Sequence, residues 1–448
     1  MESGVTILVT PENGTDTGST YTPGTTYTVI QTGAAGNLTV DADPTITDDF
    51  AFLDFTGNTD GQNYYLTSHQ VASFCRPGMT FNQCSTANAV EDLGAGHLAY
   101  DSVLHLSTAE ADAALDAMSG EVHASGQHVI DQTFALFNRT LRYQGIAGIG
   151  AGNFGANVAS APAGDYADAR VRGAWAAPLG AYGRIDSDGN AARLEWWNAG
   201  LAGGYEGVID MGSGNAVGGF GFGYIRSHGS IPDRRSTFDG DGIYLGAYGA
   251  WNDGPWTVAG ALSYGANRVS TERGIVFGTI NETATADYWA HTVGLSGEAA
   301  YAFDLSDSTK LAPLFTLDAG WSGHGGFTER GAGVFNLSSG SESWTRFDTG
   351  IGLALTHTVL TEHGKLTLEG RAVWEHAFAD VVPDTMNSFV GGTPFEIRGP
   401  AAAADRLRIG GGLSWAVSDD MTIRARYDGL FSGDQSNHSA SLGLNVRF

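Results

Sequence analysis

Lysine is almost missing from this chain: of 23 basic residues, 21 are arginine, and Lys310 and Lys365 are the only lysines. Clusters of snorkelling lysine are thereby excluded. Against those 23 Lys+Arg stand 49 Asp+Glu, a formal net charge of -26, which excludes a nucleic-acid partner because phosphate binding needs counter-charge. Charge of either sign is scarce, at 16% of residues, too little for an ordinary solvated surface. No run of 18 apolar residues occurs, so no helix spans a membrane. The start Met1-Glu2-Ser3-Gly4 has neither the basic nor the apolar part of a secretory leader, so an exported protein would be met here in processed or partial form. Cysteine is limited to Cys75 and Cys84, nine positions apart in FCRPGMTFNQC. They read as a disulfide of an oxidising compartment, worth ~2–3 kcal/mol of loop-closure entropy, with two free buried thiols as the alternative.

Glycine and aromatic residues are plentiful instead: 65 glycines and 11% Phe, Trp and Tyr in 448 residues with 42% hydrophobic content, which excludes disordered and collagen-like chains. The length allows three ordinary domains, or one large closed structure with an appendage. Residues 1–106 are rich in Thr, Gly, Asn and Asp, with alternating stretches such as Val5-Ile7-Val9 broken by turn clusters like TGNTDGQN, which predicts an all-β segment. At Ser107 the pattern changes. Ser107 and Glu110 have the spacing of a capping box, followed by Leu115, Met118 and Val122 and then by a stripe of Ile130, Phe134, Phe137 and Leu141. Two helical pieces, or one kinked helix, are predicted over about 107–143.

From about residue 164 the period is two. Thr422, Arg424, Arg426 and Asp428 alternate with Ile423, Ala425 and Tyr427; Lys365, Thr367, Glu369 and Arg371 alternate with Leu366, Leu368, Ala372 and Trp374. Arg406 and Arg408 alternate with Leu407 and Ile409; Ser441, Asn445 and Arg447 alternate with Leu442, Leu444, Val446 and Phe448. Twelve candidate strands are centred near residues 176, 202, 221, 246, 261, 293, 317, 351, 370, 411, 425 and 443, with Trp196, Trp197, Trp251, Trp256, Trp289, Trp321, Trp344, Trp374 and Trp415 in or beside them. Strands charged on one face, apolar on the other, even in number and edged by aromatics predict an antiparallel transmembrane β-barrel with a polar lumen.

Together these segments resemble the carboxy-terminal part of a monomeric (type Va) autotransporter of Gram-negative bacteria. PGTTYTVIQTGAAGNLTV and FAFLDFTGNTDGQNYYLT are similar to the last β-helix rungs of a passenger, LDAMSGEVHASGQHVIDQTF resembles the helical linker leading into the barrel, and the ending Leu442, Leu444, Val446 and Phe448 is similar to the signal read by the barrel-assembly machinery. The resemblance implies three parts: the end of a passenger with its autochaperone region (1–106), a helical linker entering the pore (107–163) and a twelve-stranded barrel (164–448). It implies a pore helix carrying Ile130, Phe134, Phe137, Asn138 and Leu141, and a lumen faced by Glu369, Arg371, Arg406, Arg408, Arg424, Arg426 and Arg447. Glycines at Gly219, Gly221 and Gly223, opposite outward Phe220, Phe222 and Tyr224, would leave room for the helix backbone. The implied partners are outer-membrane lipid, the barrel-assembly machinery, periplasmic chaperones and the chain's own passenger at the cell surface, the protein being a monomer without cofactor or metal.

Catalytic patterns were weighed against this expectation. Gly150 to Gly155 fits G-x-G-x-x-G but follows a helix rather than a strand, and reads as a connector. GxSxG, HExxH and Gly-Asp-Ser-Leu do not occur. Some members of the family cut their own linker at an Asn; Asn138 is the helical Asn here, but Arg139 stands where that subgroup has a second Asn. A porin is the competing class. An outer-membrane protease or lipase, the other competitor, would draw on His324, His357 and His376.

Overall fold

Period-two alternation with apolar residues on one face and polar or small residues on the other cannot form an open sheet in lipid, where every unpaired N–H and C=O costs several kcal/mol; it must close on itself. In the computed structural model, which describes residues 1–448 except 2–3, 11–20, 37, 150–171, 210, 212–213, 363 and 419, it does. The amino-terminal part has strands β1 (Thr6–Val9), β2 (Thr26–Gln31), β3 (Thr45–Asp48), β4 (Leu53–Thr59) and β5 (Asn63–Gln70), then helices α1 (Phe81–Leu93), α2 (Leu98–Leu104), α3 (Thr108–Met118) and α4 (Glu121–Gly148). There follow β6 (Arg172–Ile185), β7 (Leu194–Ile209), β8 (Asn215–Ile231), β9 (Ser236–Asp253), β10 (Trp256–Phe277), β11 (Ile280–Tyr301), β12 (Phe303–Ser306), β13 (Thr309–His324), β14 (Phe327–Thr328), β15 (Leu337–Ser339), β16 (Glu342–Thr361), β17 (Gly364–Ala377), β18 (Asp384–Phe389), β19 (Phe395–Arg398), β20 (Asp405–Ala416), β21 (Met421–Phe431) and β22 (Gln435–Arg447).

Twelve of these, β6 to β11, β13, β16, β17 and β20 to β22, pair antiparallel in sequence order, and the pairing of β22 with β6 closes the ring. Each predicted strand centre falls inside one of the twelve. The outer face is apolar: Phe220, Phe222, Tyr224, Tyr427, Leu442, Leu444, Val446 and Phe448 are exposed, whereas Ile423 on that face is partly covered. Trp197, Trp256, Trp289, Trp321 and Trp374 lie on this surface, but Trp196 and Trp344 do not belong to the aromatic rim: Trp196 is buried inside, and the Trp344 indole donates inward to Asp131 at 3.1 Å. Two adjacent tryptophans on one strand must face opposite ways, so position 196 was fixed once Trp197 faced out.

The seam is interrupted at one place. Pairing of β6 with β7 runs through Pro178 without a break, whereas pairing with β22 skips from Leu179↔Ser441 to Ala176↔Leu444. Proline has no N–H to give the ladder.

The ring ends differ. Turns at one end are short, and Arg172 and Phe448 lie there; at the other, the connections 325–341 and 378–404 carry β14, β15, β18 and β19 as a small sheet of their own. On that end sits a cap made by the described residues among 1–118. Its core is one cluster in which Phe52, Phe74, Val90, Tyr100, Leu106, Leu115 and Met118 merge with Ile275, Phe277, Phe335, Leu337, Phe389 and Ile397 of the rim. The cap departs from the expected all-β segment: α1 and α2 occupy residues 81–104. Thr80 and Gln83 form a capping box, but the buried face of α1 is Asn82, Thr86, Ala87, Ala89 and Val90, so hydrophobic periodicity is weak there. Asn82 makes two hydrogen bonds to the Arg398 backbone, 2.7 and 2.9 Å, tying α1 to β19. Among the described residues only β1 and β3 pair in parallel, as stacked rungs do; β2, β5 and β4 form an antiparallel sheet. Cys75 and Cys84 are joined in a disulfide, their Cα atoms 4.6 Å apart, just ahead of and within the first turn of α1.

Ser107 caps α3 through Glu110, and the helical region breaks at Gly120, whose φ of 77° a side chain rarely adopts. Around this break the cap is latched to the ring. Glu329 is buried and accepts from His123 Nε2 at 2.9 Å, Arg273 Nη2 at 2.5 Å and the Leu337 N–H at 2.7 Å, while Arg273 Nη1 donates to the Ala117 carbonyl of α3 at 2.9 Å.

Two outcomes follow. Replacing Pro178 by Ala restores a ladder donor in lipid, worth about 1 kcal/mol or more, against about 0.4–1 kcal/mol of unfolded-chain entropy that proline had removed. The donor wins, so P178A should raise the temperature at which the folded, fast-migrating gel band converts to the unfolded one; an unchanged or lower temperature contradicts this. The second concerns acid. Burial alone would raise the Glu329 carboxyl, but Arg273 and the His123 hydrogen bond hold it at about 2, below its unfolded value of about 4.3. The stability it contributes is complete above pH ~4.3 and is lost as the pH falls through about 2. Amide exchange across Thr108–Met118, corrected for intrinsic rates, should accelerate in that window for the wild type and not for E329Q; the same acid response in both would exclude Glu329 as the source.

Candidate functional site: the helix-filled lumen

A helix about 10 Å across fits inside a twelve-stranded ring only where the wall gives up its side chains. The apolar stripe of α4 meets such a wall. Phe137 sits against Gly223, where an added Cβ would come 2.9 Å from its ring; Leu141 sits against Gly221, at 2.5 Å, and Gly246; Phe134 sits against Gly294 and Gly265. These glycines lie on β8 to β11, and α4 is seated eccentrically against that side. Gly219 is different: its space is taken by the Tyr248 ring, not by the helix. Ile130, higher up, packs with Val129, Leu194, Trp196, Ile231 and Phe238. Asn138 accepts from Ser263 Oγ at 2.8 Å.

The other face of α4 is polar and looks toward the wall from β11 round to β22. Arg142 donates to Ser296 Oγ at 2.8 Å and lies 3.6 Å from Glu298 and 3.5 Å from Asp318. The Tyr143 ring is covered by Arg426 at 3.5 Å and flanked by Arg142 and Arg371, each 5.2 Å away. Asp131 accepts from Trp344 and from Ser322 at 3.0 Å. The wall itself is laced: Arg371 to Glu298 at 2.8 Å, Arg406 to Asp348 at 2.6 Å, Arg408 to Glu375 at 2.5 and 3.0 Å, Arg426 to Asp428 at 2.8 and 3.1 Å and to Glu369 at 3.4 Å. Buried guanidinium and carboxylate groups persist away from water only in such pairs. Arg424 donates at 3.1 Å to the Ala147 carbonyl and at 3.1 Å to Gln144, where the last turn of α4 leaves acceptors free.

The structure thus brings Glu369, Arg371, Arg406, Arg408, Arg424 and Arg426 together inside the ring. Arg447 shares the face of Asn445 but stands at the open short-turn end, its backbone N–H held by the Asp420 carbonyl at 2.8 Å. Asp428, on the charged face of Arg424 and Arg426, belongs to the same lattice, as do Glu298, Asp318, Arg346, Asp348, Glu375, Arg142 and Tyr143, which were not picked out from the sequence. Glu375 and Asp428 were legible by parity, since they continue the faces of Glu369 and Arg426; Arg142 and Tyr143 were legible as the polar side of the helical stripe. Asp318 and Glu298 needed the ring.

His324, His357 and His376 do not meet. His324 is buried near Glu342 at 3.5 Å, His376 is on the outer face with Asp405 at 2.8 Å, and His357 is at the short-turn end, bonded to Thr309 at 2.9 Å. His123 and His128 go to Glu329 and to the Pro400 carbonyl. Among the described residues no group of three or more His, Cys, Asp or Glu is arranged to hold a metal ion. The stretch Gly150 to Gly155 lies outside the described residues.

Residues 174–428 match the family Autotransporter beta-domain. An extracellular serine protease of Serratia marcescens is 24% identical over 463 positions, covering 95% of this chain but 43% of that protein, so the chain spans less than half the length of the curated relatives it matches. The translocator domain of the autotransporter NalP from Neisseria meningitidis superposes with a TM-score of 0.56 at 18% identity, over 73% of this chain and 100% of that one. The beta domain of the Bordetella autotransporter Brka does so at 0.50 and 17%, over 62% and 100%. These two likenesses speak for the fold, while the family match takes in more than half of the chain. This chain belongs to the autotransporter family, and the twelve ring strands between β6 and β22 build its outer-membrane β-barrel.

Proposed function

We propose that the chain anchors a passenger at its amino terminus in the outer membrane and carries it through the barrel to the cell surface. The observation that supports this is the threading. The first strand begins, and the last one ends, at the short-turn end; α4 runs inside the ring from its Gly148 beside Glu206 and Val217 near that end to its Glu121 beside Ala192 at the other; residues 1–118 lie outside on the long-connection rim. Everything amino-terminal of α4 has therefore crossed the plane of the ring relative to β6. Short turns face the periplasm in such barrels, which puts the cap at the surface.

In this reading residues 1–106 are the end of the passenger. The core they share with α3 carries that unit on to Met118, so that α4, rather than the whole of 107–163, is the pore segment. The parallel pair β1 and β3 offers an end on which preceding rungs stack, and a stack that gains stability only from neighbours needs such a folded end. The outward row Leu442, Leu444, Val446 and Phe448 is the surface for the barrel-assembly machinery, periplasmic chaperones keep the unfolded chain competent, and the barrel works as a monomer. The chain performs no catalysis of its own: the Asn138 amide oxygen is taken by Ser263, and the next residue is Arg139. Protease activity is named for the Serratia relatives, whose further length this chain does not match.

A signal peptide and epitope tag placed ahead of residue 1, with expression in a Gram-negative host, should give a tag that antibody and external protease reach on intact cells, and an unprocessed band of full mass. Deleting residues 437–448 should abolish exposure, because a ring without β22 cannot close; a tag that stays on the surface overturns the reading. In planar bilayers, deleting residues 121–148 should enlarge the unit conductance several-fold, and an unchanged step would mean that α4 does not fill the pore.

A further inference from the structure

Because α4 leans on β8 to β11, space is left on its far side. Between the helix and strands β21 and β22, directly behind the seam at Pro178, lies a cavity of about 80 Å³ lined by Arg139, Thr140, Gln144, Arg424, Arg426, Asp428, Ser439 and Ser441 together with apolar wall residues. This is room for an ion of a few heavy atoms besides water.

The charges on that lining do not match. Arg426 and Asp428 are satisfied by each other through two hydrogen bonds. Arg424 donates hydrogen bonds to neutral acceptors, the Gln144 and Asn445 side-chain oxygens and the Ala147 carbonyl, and its Nε is buried without a partner; the carboxylate in its field, Glu206, is engaged by Tyr248, Gln144 and Asn445. Arg139 is 5% exposed, and among the described residues it makes no hydrogen bond or ion pair. Asp318 and Glu375, the carboxylates in its field, are engaged by Arg142 and Arg408, and Arg346 and Arg408 add positive charge beside it. Arg139, which bonds no carboxylate, and Arg424, whose one carboxylate neighbour is held by Tyr248, therefore face a hole beside the Ser441 hydroxyl, while the Ser439 and Thr140 hydroxyls donate to the Asp428 and Leu136 carbonyls. A buried charge is stable only when paired, and each nearby carboxylate is already bonded to another group.

We propose that this cavity binds a small inorganic anion, of chloride to phosphate size, held by Arg139 from the helix and Arg424 from the barrel, with the Ser441 hydroxyl donating. The anion bridges α4 to β21 and β22, the side of the ring against which the helix has no glycine sockets, and backs the interrupted seam from inside. The site stands apart from translocation: a barrel that failed to export would still hold the ion.

The test uses the detergent-solubilised full chain. At equal ionic strength, its thermal conversion from the fast-migrating to the unfolded gel band should move upward with chloride or phosphate relative to gluconate, which is too large for the cavity. The shift should grow with the logarithm of anion concentration once the site is saturated. The chloride and phosphate arms identify which size is preferred. R139Q and R424Q, each still heat-modifiable and so still folded, should lose the anion dependence, whereas R184Q on the outer surface should keep it. Crystals soaked in bromide should give anomalous density between Arg139 and Arg424. No difference between chloride, phosphate and gluconate in the wild type, an anion response retained in both cavity variants, or bromide density elsewhere only, overturns the proposal.

Discussion

The rest of this molecule depends on the contact between Phe134, Phe137 and Leu141 and the glycines that receive them. A ring of twelve strands filled by ordinary inward side chains has no space for a helix, and a ring without a helix has no apolar reason to keep Gly221, Gly223, Gly246 and Gly294 on its inner face. Dispersion supplies the attraction, since an aromatic edge against bare backbone recovers many close contacts at once. The cost is borne elsewhere in the ring. All the sockets are on one side, so the helix is off-centre, and the opposite wall must fill a wider gap with long side chains. Arginine is the residue that spans it: long, permanently charged and able to bond in two directions with one planar group. The near-absence of lysine agrees with that geometry, because a lysine point charge would give neither the paired bonds to Glu375 and Asp428 nor the stacking on Tyr143.

What was legible and what was not divides along physical lines. The twelve strands were readable because lipid on one side and a polar lumen on the other force alternation to persist along each spanning strand, and the same parity singles out the inward row of arginines and glutamates. Parity does not report height along a strand, so Arg447 was grouped with residues deep in the ring although it stands at the open end. Nor does it report which inward glycine faces the helix: Gly219 and Gly221 look identical in sequence, and only the pairing across β8 and β9 shows that Tyr248 covers the first. The helices α1 and α2 escaped for a different reason. Amphipathic periodicity is seen when the buried face is apolar, and here α1 buries Asn82 and Thr86, whose partners are the Arg398 backbone and the helix's own carbonyl. The capping pair Thr80 and Gln83 was the available signal, within a stretch dominated by turn residues.

The cap and the barrel are less separable than a division of the chain into passenger and translocator suggests. Strands β10 and β11 run 22 residues each, about twice the ~10 needed to cross a hydrocarbon core, and the excess ends as Ile275, Phe277 and Ala284 inside the core of the cap. Without residues 1–118 these side chains, and Phe335 and Phe389 from the long connections, would face water. The rim is therefore a template whose apolar surface matches one partner, and that partner is attached to the rim's own pore helix.

That attachment sets an order of events. Once the cap is folded, with Phe52, Phe74 and Tyr100 stacked and α1 tied to β19, it cannot follow α4 back through a ring whose lumen holds one helix. Nor can it have passed outward in that form. On the proposed reading the cap folds after the chain has threaded, and the free energy of burying it against the rim then holds α4 in place. The disulfide does not conflict with this order, because a loop closed over nine positions is small enough to travel with an extended chain, whether it forms before or after passage. The Gly120 break between α3 and α4 then has a mechanical reason. A continuous helix would project the cap along the pore axis, away from the rim; a left-handed residue at the mouth turns α3 aside, so that Ala117 reaches Arg273 and Met118 enters the shared core, and the last helical turn outside the pore becomes the first contact that holds the thread.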